Sequence, residues 1–146
     1  MLSDRRFTIY RTTHLSPRQG TLLGLIWIAV QRNRELGRGA FVDGGLLRDL
    51  ITTAQARKLI NPLVNFELPR FTPLGAELKE LARQGFLHLS ENPERIGFLG
   101  TTIFDLPTAI FRHIRVSGFA ELVKDLADPD EDRVLDSTRG WDPTPE

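Results

Sequence analysis

The sequence lacks several residue types and patterns on which common activities depend. It has no cysteine, which excludes disulfides, a thiolate nucleophile and any cysteine-ligated metal cluster. Its three histidines, His14, His88 and His113, are scattered without the spacing of metal ligands or of a catalytic triad. The longest apolar run, residues 22–30, is too short to cross a bilayer, and no apolar core of signal-peptide length precedes it. We therefore expect a cytoplasmic, non-enzymatic protein that needs no cofactor or metal and does not enter a membrane.

Charge is balanced over the whole chain but not along it. Residues 1–120 hold 16 Lys and Arg against 10 Asp and Glu, whereas residues 121–146 hold 3 against 9. An acidic end of this kind either competes with nucleic acid for a basic surface or only keeps the protein soluble. We expect one domain over residues 1–127, followed by an acidic, flexible tail over residues 128–146 with too few apolar side chains to fold alone.

The N-terminal part predicts a strand followed by a long helix. Residues 5–14 alternate apolar and polar side chains, as a strand does. Ser16 and Gln19 fit the capping-box pattern, which predicts that a helix begins there and continues to about residue 36. Residues 22–30 are apolar on every side of this helix. It is therefore either the central core helix or half of a dimer interface.

Glycine, proline and capping residues divide the next part of the chain. Gly37 predicts a turn, and Asp43 can cap a shorter helix that follows it. The two threonines at residues 52–53 either end that helix or start a separate one over residues 53–60. Residues 61–73 hold three prolines and predict a loop, which either projects as an arm or folds back over the core.

The second half predicts a helix, a hairpin and two further helices. A helix over residues 72–84, with Gly85 as a left-handed stop, precedes two short strands, "FLHL" and "IGFLGTTIF". The polar segment "SENPER" joins these strands and forms the tip of the hairpin. Pro107 is expected to start a further helix over residues 107–115, and residues 119–127 predict a last amphipathic helix.

The stretch "LKELARQGFLHLSENPERIGFLGT" is similar to the third helix and wing of a winged helix-turn-helix domain, and the pattern of residues 17–104 resembles that superfamily. The resemblance implies an α+β winged-helix-like domain with an N-terminal strand, a long buried helix, a β-hairpin wing and C-terminal helices. It also implies a transcription regulator that binds double-stranded DNA with one helix in the major groove and the wing on the backbone. Such regulators are usually homodimers, here through the helix of residues 22–30 or the C-terminal helices.

Two segments compete as the DNA reader. The helix over residues 72–84 offers two basic side chains, but two glutamates stand among them, and carboxylates near phosphates lower affinity. The segment "TTAQARKLIN" offers amide and cationic groups with no acid among them. Arg95 at the tip of the predicted wing can reach a phosphate or a minor groove. The candidate DNA-binding residues are Gln55, Arg57, Lys58, Lys79, Arg83 and Arg95.

Other interpretations of the same residues stay open. The balanced charges over residues 77–83 and the apolar side chains of residues 61–71 favour a protein-interaction module that uses this scaffold without binding DNA. Arg57 and Lys58 also fit an ordinary solvated surface that binds no ligand. In winged-helix domains a tight turn usually joins the second and third helices, whereas about a dozen proline-rich residues separate them here.

Overall fold

The described part of the chain contains four α-helices, a short 3-10 helix and a three-stranded antiparallel sheet, which make an α+β fold. The computed structural model describes residues 15–64, 66, 73–91, 94–99 and 106–127. The elements in chain order are α1 (Pro17–Glu35), β1 (Val42–Asp43), α2 (Gly44–Ala56), α3 (Pro73–Arg83), β2 (Leu87–Glu91), β3 (Glu94–Phe98), the 3-10 helix (Thr108–Phe111) and α4 (Val116–Ala127). The strand predicted over residues 5–14 and the tail predicted over residues 128–146 lie outside the described residues.

Helix α1 is the central core helix, which is one of the two alternatives that its sequence allows. It begins with the predicted capping box, because the Ser16 hydroxyl accepts from the Gln19 N–H and the Gln19 side chain accepts from the Ser16 N–H, both at 3.1 Å. It contacts the other three α-helices, the 3-10 helix and strands β1 and β3. Seven of its apolar residues are at most 3% exposed: Leu22, Leu23, Leu25, Ile26, Ile28, Ala29 and Val30. The chain therefore covers this helix itself, and a homodimer through it stays a prediction.

Helix α2 is continuous through the two threonines, which therefore neither end it nor start the alternative separate helix over residues 53–60. Asp43 caps α2 as predicted, since its Oδ1 accepts from the Gly45 N–H at 2.8 Å. The buried stripe of α2 continues past the threonines to Ala54, and core packing outweighs the weak helix propensity of threonine. The helix then ends at Ala56. In the hypothesis that "TTAQARKLIN" is the DNA reader, residues 46–51 and 53–60 form a helix-turn-helix, and the continuous helix α2 contradicts that arrangement.

The sheet combines the predicted hairpin with a strand that the sequence analysis missed. Strands β2 and β3 pair with Leu87 opposite Phe98 and Glu91 opposite Glu94, so both strands extend into the predicted tip. Strand β1 is only two residues long and pairs with β3, which gives the sheet order β1-β3-β2. A two-residue strand leaves no periodic pattern to detect. With the helices, this sheet forms the winged-helix-like arrangement.

The C-terminal part differs from the prediction in the extent of its helices. The segment after Pro107 forms one 3-10 turn instead of a longer helix, because Ile114 pairs with Ile60 in an isolated bridge. The 3-10 helix packs closely on α1, where a Cβ atom at Gly24 would lie 2.9 Å from the Ile110 carbonyl oxygen. Helix α4 begins at Val116, three residues earlier than expected.

The described part of the proline-rich loop folds back onto the core. Val64 and Phe66 are 4% and 2% exposed, whereas Leu63 is 87% exposed. Residues 67–72 lie outside the described residues. The fold-back alternative therefore holds for the first half of the loop, and a long connection does replace the tight turn between α2 and α3.

Candidate nucleic-acid interface

Helix α3 and the β2–β3 hairpin lie side by side and border a groove of about 360 Å³. Leu78 from α3 and Leu89 and Ile96 from the hairpin form its apolar lining. Lys79 and Arg95 line the same groove from opposite sides. The structure therefore brings together one predicted residue of the reading helix and the predicted residue of the wing.

Helix α3 pairs one of its two glutamates with a neighbouring helix. Oε2 of Glu77 lies 2.6 Å from Nε of Arg18 on α1, and the two side chains are only 18% and 31% exposed. This ion pair neutralises one of the two acids that weaken the case for α3 as a DNA-binding helix. The exposed residues of α3 in the described part are Ala76, Lys79 and Arg83.

The other glutamate of α3 holds Arg83 in a bidentate pair. Nη2 and Nε of Arg83 donate to the Glu80 carboxylate at 2.5 and 3.0 Å, and Gln84 donates at 2.7 Å. The hydrogen bonds from Arg83 and Gln84 lower the pKa of Glu80 from 4.5 to about 2. The hydrogen bond to Glu80 raises the pKa of Arg83. Arg83 is 72% exposed, and its remaining N–H groups are available to an oxygen acceptor.

The hairpin tip also places one carboxylate beside the N-terminus of α2. A Cβ atom at Gly44 would overlap the carboxyl group of Glu94, so this carboxylate lies against the first residue of α2. The partial positive charge at a helix N-terminus stabilises an anion in that position. Arg95 lies over the ring of Phe41, with its guanidinium carbon 4.4 Å from the ring centroid. Glu91 and Glu94 are both exposed, and both line the groove between α3 and the hairpin.

Arg18, Phe66 and Gln55 connect α3 to the end of α2. The guanidinium carbon of Arg18 lies 5.0 Å from the centroid of the Phe66 ring. The Phe66 N–H donates to Gln55 Oε1 at 2.7 Å, and Gln55 Nε2 donates to the Phe66 carbonyl at 3.1 Å. With the ion pair to Glu77, these contacts run without a break from α2 to α3. They fix the position of α3 where winged-helix domains usually have a tight turn.

The predicted residues at the end of α2 have different surroundings. Both ends of the Gln55 amide are bonded to Phe66, so Gln55 anchors the loop, and base reading would require this pair to open. Arg57 and Lys58 follow the last residue of α2 and are exposed. Lys58 has a backbone φ of 60°, in the left-handed region that side-chain-bearing residues avoid.

The structure thus divides the six predicted residues into two groups. Lys79, Arg83 and Arg95 lie on α3 and the hairpin, whereas Gln55, Arg57 and Lys58 lie at the end of α2. Arg18 and Phe66 were not predicted from the sequence as residues that position α3. No local pattern marks them, because the partner of Arg18 lies on a different helix far along the chain.

Comparison with protein-family models, with curated proteins and with solved structures finds no match to this chain. Within the described residues, none of the helices combines the length and apolar character that crossing a membrane requires. Over the same residues, no three His, Asp or Glu side chains gather as metal ligands would.

Proposed function

We propose that the protein is a non-enzymatic, DNA-binding transcription regulator of the winged-helix type. The observation that carries this proposal is the placement of α3 beside the hairpin, with Glu77 paired to Arg18 and Glu94 held against the N-terminus of α2. Lys79, Arg83 and Arg95 then face solvent on the side where a winged-helix domain contacts DNA. The inference from fold to function is an analogy, and the side-chain arrangement is its chemical support.

In the proposed complex, α3 enters the major groove and the hairpin follows the adjacent backbone. Arg83 can contact a base edge or a phosphate through N–H groups that Glu80 does not occupy. Lys79 and Arg95 border the groove between α3 and the hairpin, and both can bind phosphates as the two elements approach the duplex. A cytoplasmic location belongs to the same proposal.

A homodimer is also part of this proposal, because two symmetric copies would read two half-sites of an operator. Helix α4 buries Phe119, Leu122 and Val123 against its own chain, as α1 buries its apolar residues. A dimer contact through these helices would therefore use their remaining polar surface. Sedimentation velocity of the full-length protein at micromolar concentration distinguishes a monomer from a dimer.

The test of DNA binding is a fluorescence-anisotropy titration of a labelled random-sequence duplex at several salt concentrations. The variant Lys79→Ala/Arg95→Ala should bind more weakly and show a salt slope lower by about 2, since each lost phosphate contact removes roughly one unit. The matched control is Arg34→Ala/Lys124→Ala, which removes two exposed cations elsewhere. Equal behaviour of the two variants would contradict the placement of DNA on α3 and the hairpin.

The second candidate function is a protein-interaction module on the same scaffold. It is favoured by the apolar lining of the groove together with Glu91, which remains exposed at the hairpin. A peptide that places an apolar side chain between Leu78 and Ile96 would fit this groove. Absence of duplex binding at low salt would favour this function over DNA binding.

A further inference from the structure

The segment after α2 and the segment before α4 are joined by backbone hydrogen bonds. The Arg115 N–H donates to the Leu59 carbonyl and the Asn61 N–H donates to the His113 carbonyl, both at 2.8 Å. Between these bonds, Ile60 and Ile114 form an antiparallel bridge, and both side chains are buried. Two segments more than 50 residues apart in sequence thus form one surface.

Four exposed cations lie within three residues of the bridged isoleucines along the chain, and they are Arg57, Lys58, Arg112 and Arg115. None of the four forms an ion pair with another residue that the structure describes. Residues 50–64 and 106–120 contain no Asp or Glu, so neither segment supplies a carboxylate to neutralise them. We call Arg57, Lys58, Arg112 and Arg115 the basic cluster.

The backbone at Lys58 gives independent support that the cluster has a role. Helices α1, α2 and α3 end in the same pair of hydrogen bonds, in which the residue after the C-cap adopts the left-handed conformation. In α1 and α3 this residue is glycine, Gly37 and Gly85, with φ of 75° and 89°. In α2 it is Lys58, for which the conformation costs about 1 kcal/mol relative to glycine. Strain of this kind concentrates at functional positions, which points to the lysine ammonium.

The position of the cluster relative to the hairpin suits a duplex. Glu94 of the hairpin lies against the first residue of α2, and Arg57 follows its last residue. A helix of 13 residues is about 20 Å long, at roughly 1.5 Å per residue. A major groove about 12 Å wide, with a phosphate strand on each side, has similar dimensions. The hairpin and the cluster can therefore reach backbones on opposite sides of one groove.

We propose that the basic cluster is a second, sequence-independent contact to nucleic-acid phosphates, in addition to the face formed by α3 and the hairpin. This inference rests on the proposed DNA-binding function. Three of its four cations are arginines, whose planar guanidinium groups bind phosphate oxygens in pairs. The cluster positions the duplex, and the residues of α3 contact the base edges.

Three double variants of the full-length protein test this proposal, and each removes two positive charges. Lys58→Gln/Arg112→Gln takes one cation from each segment of the cluster, and Lys79→Gln/Arg95→Gln acts on α3 and the hairpin. Arg34→Gln/Lys124→Gln is the matched control. Duplex binding is measured by anisotropy from 50 to 200 mM salt, and thermal unfolding by circular dichroism confirms that each variant is folded.

The expected result is a salt slope for the cluster variant that is lower by about 2 than that of the control. If the cluster variant matches the control while the α3 and hairpin variant loses binding, the cluster proposal is overturned and the proposed function stands. If only the cluster variant loses binding, the cluster proposal is supported, and α3 with the hairpin is not the DNA-binding face. Failure of the unmodified protein to bind the duplex at 50 mM salt, with salt-sensitive binding to polyglutamate instead, overturns both and assigns the cluster to an acidic protein.

Discussion

Replacement of Gln55 separates the anchoring role that the structure shows from the DNA-reading role that its sequence suggests. Gln55→Ala removes two hydrogen bonds to the backbone of Phe66, of 2.7 and 3.1 Å. Each bond contributes about 1 kcal/mol, and the Phe66 N–H and carbonyl lose their partner beside a side chain that is only 2% exposed. We expect the free energy of unfolding to fall by about 2 to 4 kcal/mol. At a typical m-value of about 2 kcal/mol per molar, the urea midpoint falls by about 1 to 2 M.

Urea unfolding followed by circular dichroism measures this loss, and duplex anisotropy at a temperature where all variants are folded measures binding. Thr52→Ala is the matched control, because Thr52 is exposed on the same helix. Gln55→Glu is informative as well, since it keeps an acceptor for the Phe66 N–H but places a carboxylate beside the Phe66 carbonyl. It should lose at least as much stability as one hydrogen bond provides. Unchanged stability of Gln55→Ala together with weaker DNA binding would refute the anchoring role.

Four further predictions follow from the same structure. Lys58→Gly relieves the strain of the left-handed backbone at residue 58, and a gain of roughly 1 kcal/mol should raise the melting temperature by about 2 to 4 °C. Because the variant also loses one cation, the salt slope of duplex binding should fall by about 1. A lower melting temperature would contradict the presence of this strain. The depressed pKa of Glu80 means that its ionised form stabilises the fold above pH 4.5 and that this contribution is lost as the pH falls toward 2. NMR titration should place the Glu80 carboxyl near pH 2 and move it toward 4.5 in Arg83→Ala, and no movement would exclude Arg83 as the cause. Leu25 of helix α1 is fully buried, so Leu25→Ala should cost about 2 to 5 kcal/mol in urea unfolding, whereas a cost below about 1 kcal/mol would be inconsistent with a packed core. A protein that ends at Ala127 should bind a duplex more tightly at low salt and equally at high salt if the acidic tail competes for the basic surface, and equal binding at both salts would leave the tail without that role.

Local signals in the sequence were sufficient for most element boundaries. Ser16 with Gln19 and the cap at Asp43 each act within one helical turn, and the structure confirms all three residues in these roles. Gly85 ends α3 in the left-handed conformation, as expected. The weak points were elements without a local signal, namely the two-residue strand β1 and the end of α2.

Fewer features of the candidate site than of the fold could be predicted from the sequence. Acidic and basic residues alternate in the sequence around Glu77 and Lys79, which suggests a surface of balanced charge. The ion pair with Arg18 neutralises Glu77, so Glu77 does not offset the positive charge of Lys79. Gln55 has an amide side chain of the kind that contacts DNA bases. Its two hydrogen bonds to the Phe66 backbone show that it anchors the loop after α2. The polar groups that remain available to a ligand are those without a partner elsewhere in the fold. Because such partners are distant in sequence, residue spacing does not predict them.

Sequence patterns alone predict that α1 is a core helix or a dimer interface, that a hairpin follows α3, and that the chain carries a basic body and an acidic end. These properties are set by side-chain periodicity, caps and composition, which act over a few residues or over the whole chain. Tertiary contacts are needed to show that α1 is covered by its own chain, that Gln55 anchors Phe66, and that Ile60 and Ile114 join the two segments of the basic cluster. Each of these depends on contacts between segments distant in sequence, which form only when the core packs.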